Sequence, residues 1–213
     1  KVMHIGGNNF LGREWGSASY FYSAYNHVWG WATWRRSWKL YNYNLQALES
    51  KRLRSAIGDY FPRSIRNAWF NYYNSLLERK IHDGENRWDF WDYQWTFCIW
   101  LNQGLCVYPN VNLVSNIGFG PDATHTFDVT NKFNSLASQE LKAISSPHYI
   151  KRNNEADIIT SQVVFNFKME RLSKKYTSDF IAVSQKSKNS IRKLIPDAIK
   201  KAAKQRSEER RVG

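Results

Sequence analysis

Residues 88–109 read WDFWDYQWTFCIWLNQGLCVYP: an apolar run in helical spacing, a glycine at 104, and a short strand-like run behind it. A helix that stops at a glycine and hands over directly to a strand is the grammar of an α/β protein, because helix and strand then bury their apolar sides against one another. The same stretch poses a chemical question. Trp88, Trp91 and Trp95 are interleaved with Asp89 and Asp92, although indoles favour burial and carboxylates favour water. On a helix, Trp88, Asp92 and Trp95 fall at i, i+4 and i+7 with Trp91 flanking the same face, so Asp92 is the carboxylate set among indoles. Asp89 sits a turn earlier, as a first-turn or capping acid. An ionised carboxylate shielded from water suits a general base that takes a proton from a sugar hydroxyl. It equally suits a first-turn Asp that satisfies backbone N–H groups beside a Trp-rich core.

The 213 residues are enough for one domain with a sizeable core. All ten tryptophans lie at or before Trp100, so the first half holds either a very aromatic core or a surface that stacks flat ligands. The net charge of +13 is unevenly spread: residues 184–213 carry ten Lys or Arg against three Asp or Glu. A nucleic-acid binder would interleave cations with its aromatics, whereas this excess sits in a Trp-free tail, so nucleic acid is not the expected partner. The tail, with Ile191, Leu194, Ile195, Ala198, Ile199 and Ala202 on one side of a basic amphipathic helix over 187–205, suits a solvated helix or the face of an anionic membrane. Cys98 and Cys106 make neither a disulfide framework nor a zinc site and read as buried thiols of a reducing compartment. No apolar stretch is long enough to span a bilayer, which points to a cytoplasmic, at most membrane-peripheral, protein.

Along the chain, residues 2–5 read as a strand entering a turn at Gly6 and Gly7, and SASYFYSAY as a second strand. In HVWGWATWRRSWKLY, Trp31, Trp34 and Trp38 at i, i+3 and i+7 predict a short helix beginning after Gly30. Two further helical patterns occupy 45–80 with a break at Pro62. LCVYPNVNLVSNIGFG reads as strand, Pro turn and strand, followed by the Gly-bracketed PDATHT. Residues 155–176 suggest a helix. Beginning at Lys1, the chain reads as the C-terminal part of a longer protein, and residues 207–213 as translated vector sequence.

Two more stretches carry chemistry. Trp29, beside Gly30, and Trp31 are candidate sugar-stacking indoles, and Arg35 or Arg36 can grip a phosphate or carboxylate through a guanidinium fork. The bland alternative makes Trp31, Trp34 and Trp38 core residues and the arginines solvated. In NIGFGPDATHT, Gly118 and Gly120 permit close approach to a diphosphate, and His125, three residues after Asp122, can ligate a divalent metal or bond a phosphate.

GGNNF, HVWGWATWRRSWKLY, WDYQW and NLVSNIGFGPDATHT, in this order, resemble the C-terminal half of bacterial nucleotide-diphospho-sugar transferases of the GT-A type, a group also described as hemolysin-activation-protein-like or family 2 glycosyltransferases. The resemblance covers residues 3–127 and fades after 147. It implies a partial Rossmann-like α/β/α fold over 1–147 lacking its N-terminal nucleotide-binding strands, then a polar, helical, basic tail over 148–206. It further implies a nucleotide-sugar donor, a glycan acceptor and a divalent metal (Mn or Mg) whose Asp-x-Asp ligands lie upstream. On it, Asp92 is the base that deprotonates the acceptor with inversion, and His125 completes the metal or diphosphate shell. Trp29, Trp31, Arg35, Trp91, Gln94, Gly118 and Gly120 line the substrates. Lacking the Asp-x-Asp, the fragment alone is expected to be inactive. Gln94 and Trp95 are adjacent rather than spaced as in the Gln-x-x-Arg-Trp of processive synthases, so processive chemistry is not expected. A carbohydrate-binding module whose tryptophans stack on glycan without catalysis is the alternative.

Overall fold

The computed structural model describes residues 1–44, 50–83, 91–118, 133 and 136–167, with side chains left out at 79–83; all belong to one compact unit, Lys1–Leu172. Its elements are β1 (Val2–Gly6), β2 (Tyr20–Ser23), β3 (Trp31–Thr33), α1 (Arg35–Trp38), α2 (Ser50–Tyr60), α3 (Arg63–Asp83), α4 (Trp91–Leu101), β4 (Leu105–Pro109) and α5 (Asn154–Val163). The strands form one mixed sheet in the order β2-β4-β1-β3. The central pair β1/β4 is parallel, with Ile5 opposite Val107, while β3 and β2 flank it antiparallel. A parallel pair requires a long crossover. Helices α1 to α4 lie in the connection between β1 and β4.

Helix α4 explains why this works. Residues Gln94 to Trp100 are all buried, so the helix is apolar all round and belongs in the interior rather than on a surface. Its buried indole N–H groups need acceptors, and each finds one. Trp95 Nε1 donates to His4 Nδ1 at 3.2 Å on β1. Trp100 Nε1 donates to the Ala24 carbonyl at 2.8 Å after β2. Trp69 Nε1, from α3, donates to the Tyr25 hydroxyl at 3.0 Å. The helix then ends in a Schellman motif: Gly104 N–H bonds Ile99 O at 2.8 Å and Gln103 N–H bonds Trp100 O at 3.0 Å. Gln103 takes the left-handed conformation, φ 50°. Gly104 is required for a different reason, since a Cβ there would meet Met3 Sδ at 2.4 Å.

Sheet alternation sorts the strands. Cys106, Tyr108 and Phe21 are buried, whereas the outward set of Ile5, Tyr20 and Val107 lines an apolar groove of about 380 Å³ that Leu141 and Ile144 partly cover.

Two expectations from sequence are corrected. The helix expected directly after Gly30 starts later and is shorter: Trp31–Thr33 form edge strand β3, with Trp31 opposite Gly6, and only Arg35–Trp38 are helical. The strand expected in 111–114 does not form, because β4 already has β1 on one side and β2 on the other; a single hydrogen bond from Leu113 N to Gly7 O, 2.8 Å, ties that segment down. The chain also stays packed past 147. Asn153 N bonds Tyr22 O at 2.8 Å, and α5, capped by the Asn153 side chain on Ala156 N, buries Ala156, Asp157, Ile159 and Val163. The helix expected over 155–176 is described as α5 alone, and the basic helix over 187–205 lies outside the described residues, as does 207–213. Cys98 and Cys106 are free and buried. Among the described residues no helix is long and apolar enough to cross a membrane.

Candidate functional site

At the β3 edge of the sheet the aromatic residues of three elements converge. The ring of Trp31, on β3, is stacked on His4 (5.2 Å between centroids, 10°) and on Trp91 (5.4 Å, 27°), the first residue of α4. Trp38, from α1, lies 6.0 Å from Trp31 and stacks on Tyr41 at 4.6 Å, 5°. Trp91 and Trp38 remain 38% and 40% exposed, so two indoles of an otherwise packed cluster meet solvent. Helix α1 is too short to hold Trp38 by itself; its register comes from the Trp34 carbonyl, which accepts from Ser37 and Trp38 N–H, and from Arg36, whose Nη2 donates to the Val2 carbonyl at 2.9 Å.

Asp92 stands at the edge of this cluster, half-buried in the first turn of α4. Its peptide is held firmly. The Asp92 carbonyl accepts from Thr96 Oγ1 at 2.9 Å and from Asn26 Nδ2 at 3.3 Å. Thr96 Oγ1 and Asn26 Oδ1 are themselves 2.5 Å apart. The charge of Asp92 is felt by two phenols: burial first, then neighbouring charge including that of Asp92, pushes Tyr41 up to about 12 and raises Tyr93. Tyr41 donates to Gln94 Oε1, and the buried Nε2 of Gln94 has no partner among the described residues. A buried amide donor left unpaired costs about 1–3 kcal/mol, so a polar residue kept at such a position stands out from the surrounding core.

The residues expected at a site are thus only partly brought together. Trp31 stacks on Trp91, and Asp92 follows Trp91 in α4. Gln94 is close by but fully buried, and it supports Tyr41 instead of facing solvent. Trp95 turns inward to His4, so it is the tyrosines rather than Trp95 that flank the carboxylate. Trp29 is half-buried, not exposed, and sets its edge on Phe10 at 4.7 Å. Arg35 is exposed, while Arg36 is spent on Val2, on Ser37 Oγ and on the Trp34 ring at 4.9 Å. Gly118 N–H bonds Asn116 Oδ1 at 2.8 Å, well inside its own loop. Trp88, Asp89, Gly120, Asp122 and His125 lie outside the described residues.

Tyr41, His4 and Asn26 adjoin the site and were not singled out from sequence, while Trp38 was named there only for a helix face or the core. A signal existed for Tyr41, three residues after Trp38 within HVWGWATWRRSWKLY; none existed for Asn26 or His4, which arrive through the sheet. His4 is fixed as a neutral tautomer. Its Nδ1 accepts from Trp95, so Nε2 carries the proton and donates to the His27 carbonyl at 3.1 Å. Burial lowers its pKa to about 4 against the help of that hydrogen bond. Among the described residues no group of three or more His, Cys, Asp or Glu could hold a metal, so these residues supply no ligand set for one.

No family model, curated protein or solved structure matches the chain.

Proposed function

We propose that the chain is the acceptor-side portion of a GT-A-type glycosyltransferase, which moves a sugar from a nucleotide-diphosphate donor to a surface glycan, with Asp92 as the general base. The observation that carries this reading is a carboxylate on a rigid helix start beside an exposed indole: a pyranose stacked on Trp91 presents its hydroxyls toward Asp92. The Trp31–Trp91 stack orients the acceptor ring. Asn26 and Thr96 hold the Asp92 backbone carbonyl and with it the helix turn from which the carboxylate projects. Asp92 takes the proton of the attacking hydroxyl as the C–O bond to the donor forms and the diphosphate leaves; a single in-line attack inverts the anomeric centre. Arg35, exposed at the start of α1, is the cation for a phosphate or a sugar carboxylate. The divalent metal of such enzymes would supply charge neutralisation at the diphosphate, from residues other than those described.

The test is transfer of labelled sugar by the full-length protein. Asp92→Asn is expected to lower turnover by about 10²–10⁴-fold while donor binding persists. Near-normal turnover in this variant would remove Asp92 from the mechanism. The exposed Trp38 and Trp91 also suit a carbohydrate-binding module that makes no bond. Glycan binding indifferent to nucleotide and metal, with no transfer from any donor, would favour that module.

A further inference from the structure

A second cleft lies at the opposite edge of the sheet from Asp92. Residues 145–153 run along the outer side of β2 and are pinned to it at two points. Ser19 and Ser145 exchange hydrogen bonds: Ser19 N to Ser145 O at 3.1 Å, Ser19 Oγ to Ser145 O at 3.0 Å, and Ser145 N to Ser19 Oγ at 2.9 Å. At the other end Asn153 N bonds Tyr22 O at 2.8 Å, and Arg152 bridges to Tyr22 in parallel register. Between the pins the chain bows away from β2 and encloses an open cleft of about 680 Å³. That volume lies in the range of sites for small organic ligands and far exceeds what an inorganic ion needs.

Its lining has a definite chemistry. The floor is aromatic: Trp15, Tyr20 and Tyr22, the two tyrosines edge to face at 5.8 Å, 87°. Trp15 Nε1–H is buried without an acceptor among the described residues. The rim is hydroxyl and amide, from Ser17, Ser146, Asn153 and Asn154. The charged side chains of the lining are Lys151 and Arg152, with His148 beside them and no Asp or Glu among them. Two acids beside the lining are already paired. Glu155 pairs with Arg13 at 3.2 Å, and Asp157, 1% exposed, lies behind Arg152 at 3.4 Å. Arg152 is held by Asp157 and the Tyr60 carbonyl, whereas Lys151 and His148 are exposed on the rim.

We infer that this cleft binds an acidic saccharide, a sugar unit bearing a carboxylate. The aromatic floor and the hydroxyl and amide rim suit a pyranose, Lys151 supplies the counter-charge, and His148 adds a hydrogen-bonding ring beside it. The cleft borders β2 and the Asp92 site borders β3, the two opposite edge strands of the sheet. A glycan chain therefore meets the two sites with different sugar units. This narrows the proposed acceptor to an acidic polymer, but the site itself rests on its own lining and not on the chemistry at Asp92.

The experiment is a calorimetric titration of the full chain with tetragalacturonate, with neutral cellotetraose and inorganic phosphate as comparisons. The readout is binding, so it is decided independently of whether transfer occurs. Tetragalacturonate is expected to bind, weakening as salt rises, with cellotetraose at least about tenfold weaker. Lys151→Glu, on an exposed rim position that leaves the fold alone, should weaken it about tenfold or more, while Lys142→Glu, exposed but outside the cleft, should not. Tyr20→Ala should weaken both sugars. Equal affinity for the neutral and acidic tetrasaccharides, insensitivity to Lys151→Glu, full competition by phosphate, or no binding at all would each overturn the inference.

Discussion

Asp157 is the most informative residue to perturb for stability. Its carboxylate is sealed between α5 and β2, where Oδ1 accepts from Ser23 Oγ at 2.6 Å and Oδ2 accepts from Ala24 N at 3.0 Å, with Arg152 Nη1 at 3.4 Å. Burial pushes its pKa from 3.8 up to about 7, against the pull of Ser23, Arg152 and Ala24. Between those two values the folded protein keeps a proton that the unfolded chain has released. Stability from this group is therefore fully present below about 3.8 and is lost as pH rises toward about 7. Each pH unit well inside the window is worth about 1.4 kcal/mol and the effect tapers near the folded pKa, so raising the pH from about 5 to about 7 removes about 2 kcal/mol. Asp157→Asn cannot titrate. The variant should be less stable than the parent near pH 5, having lost its Arg152 partner, and should recover about 2 kcal/mol relative to the parent near pH 7. All other titrations are shared and cancel in the comparison. Urea unfolding of both proteins at the two pH values reads this directly. A stability gap that is constant with pH, or that widens as pH rises, would show that Ser23, Ala24 and Arg152 keep the carboxylate ionised and would refute the reasoning.

His4 titrates with the opposite sign. Its folded pKa of about 4 lies below the usual 6.5, so its contribution is intact above 6.5 and lost as pH falls toward 4; His4→Gln should flatten the acid limb of the stability curve by about 1.4 kcal/mol per pH unit, and an unchanged limb would contradict this. Gly30 has φ +56°, and a Cβ there would stand 2.5 Å from Val114 Cγ2. Gly30→Ala is accordingly expected to cost about 1–3 kcal/mol by thermal or urea unfolding, and a neutral result would show that Val114 yields freely. Burial pushes the Cys98 thiol up to about 11 and raises Cys106 as well, so both should resist a thiol reagent in mildly alkaline buffer until urea is added. Rapid labelling of the native protein would refute that reading.

What could be read locally from sequence was the part decided by local chemistry. The helical pattern over Trp88–Asn102, stopped by Gly104, is met by α4, Trp91–Leu101, with its Schellman end. Pro62 separates α2 from α3 as expected, because a proline cannot donate into a continuing helix. The i, i+3, i+7 spacing of Trp31, Trp34 and Trp38 misled, since three positions fit a helix face as easily as they fit a strand that turns into a helix. The edge of β1 was the deciding partner, and it lies 25 residues upstream of Trp31 at Gly6. Likewise 111–114 has strand composition, but β4, the strand it follows, is already paired on both sides.

The site divides along the same line. The sequence alone singled out Asp92, Trp91 and Trp31, because unusual residue types at helical or turn spacing are visible without coordinates. Only tertiary structure could turn Trp95 toward His4, bury Gln94 beneath Tyr41, bring Asn26 to the Asp92 carbonyl, and bend 145–153 against β2 to make a second cleft. Those outcomes depend on which strands are neighbours, and strand neighbours are chosen by burial and hydrogen-bond satisfaction over the whole sheet rather than by any local spacing.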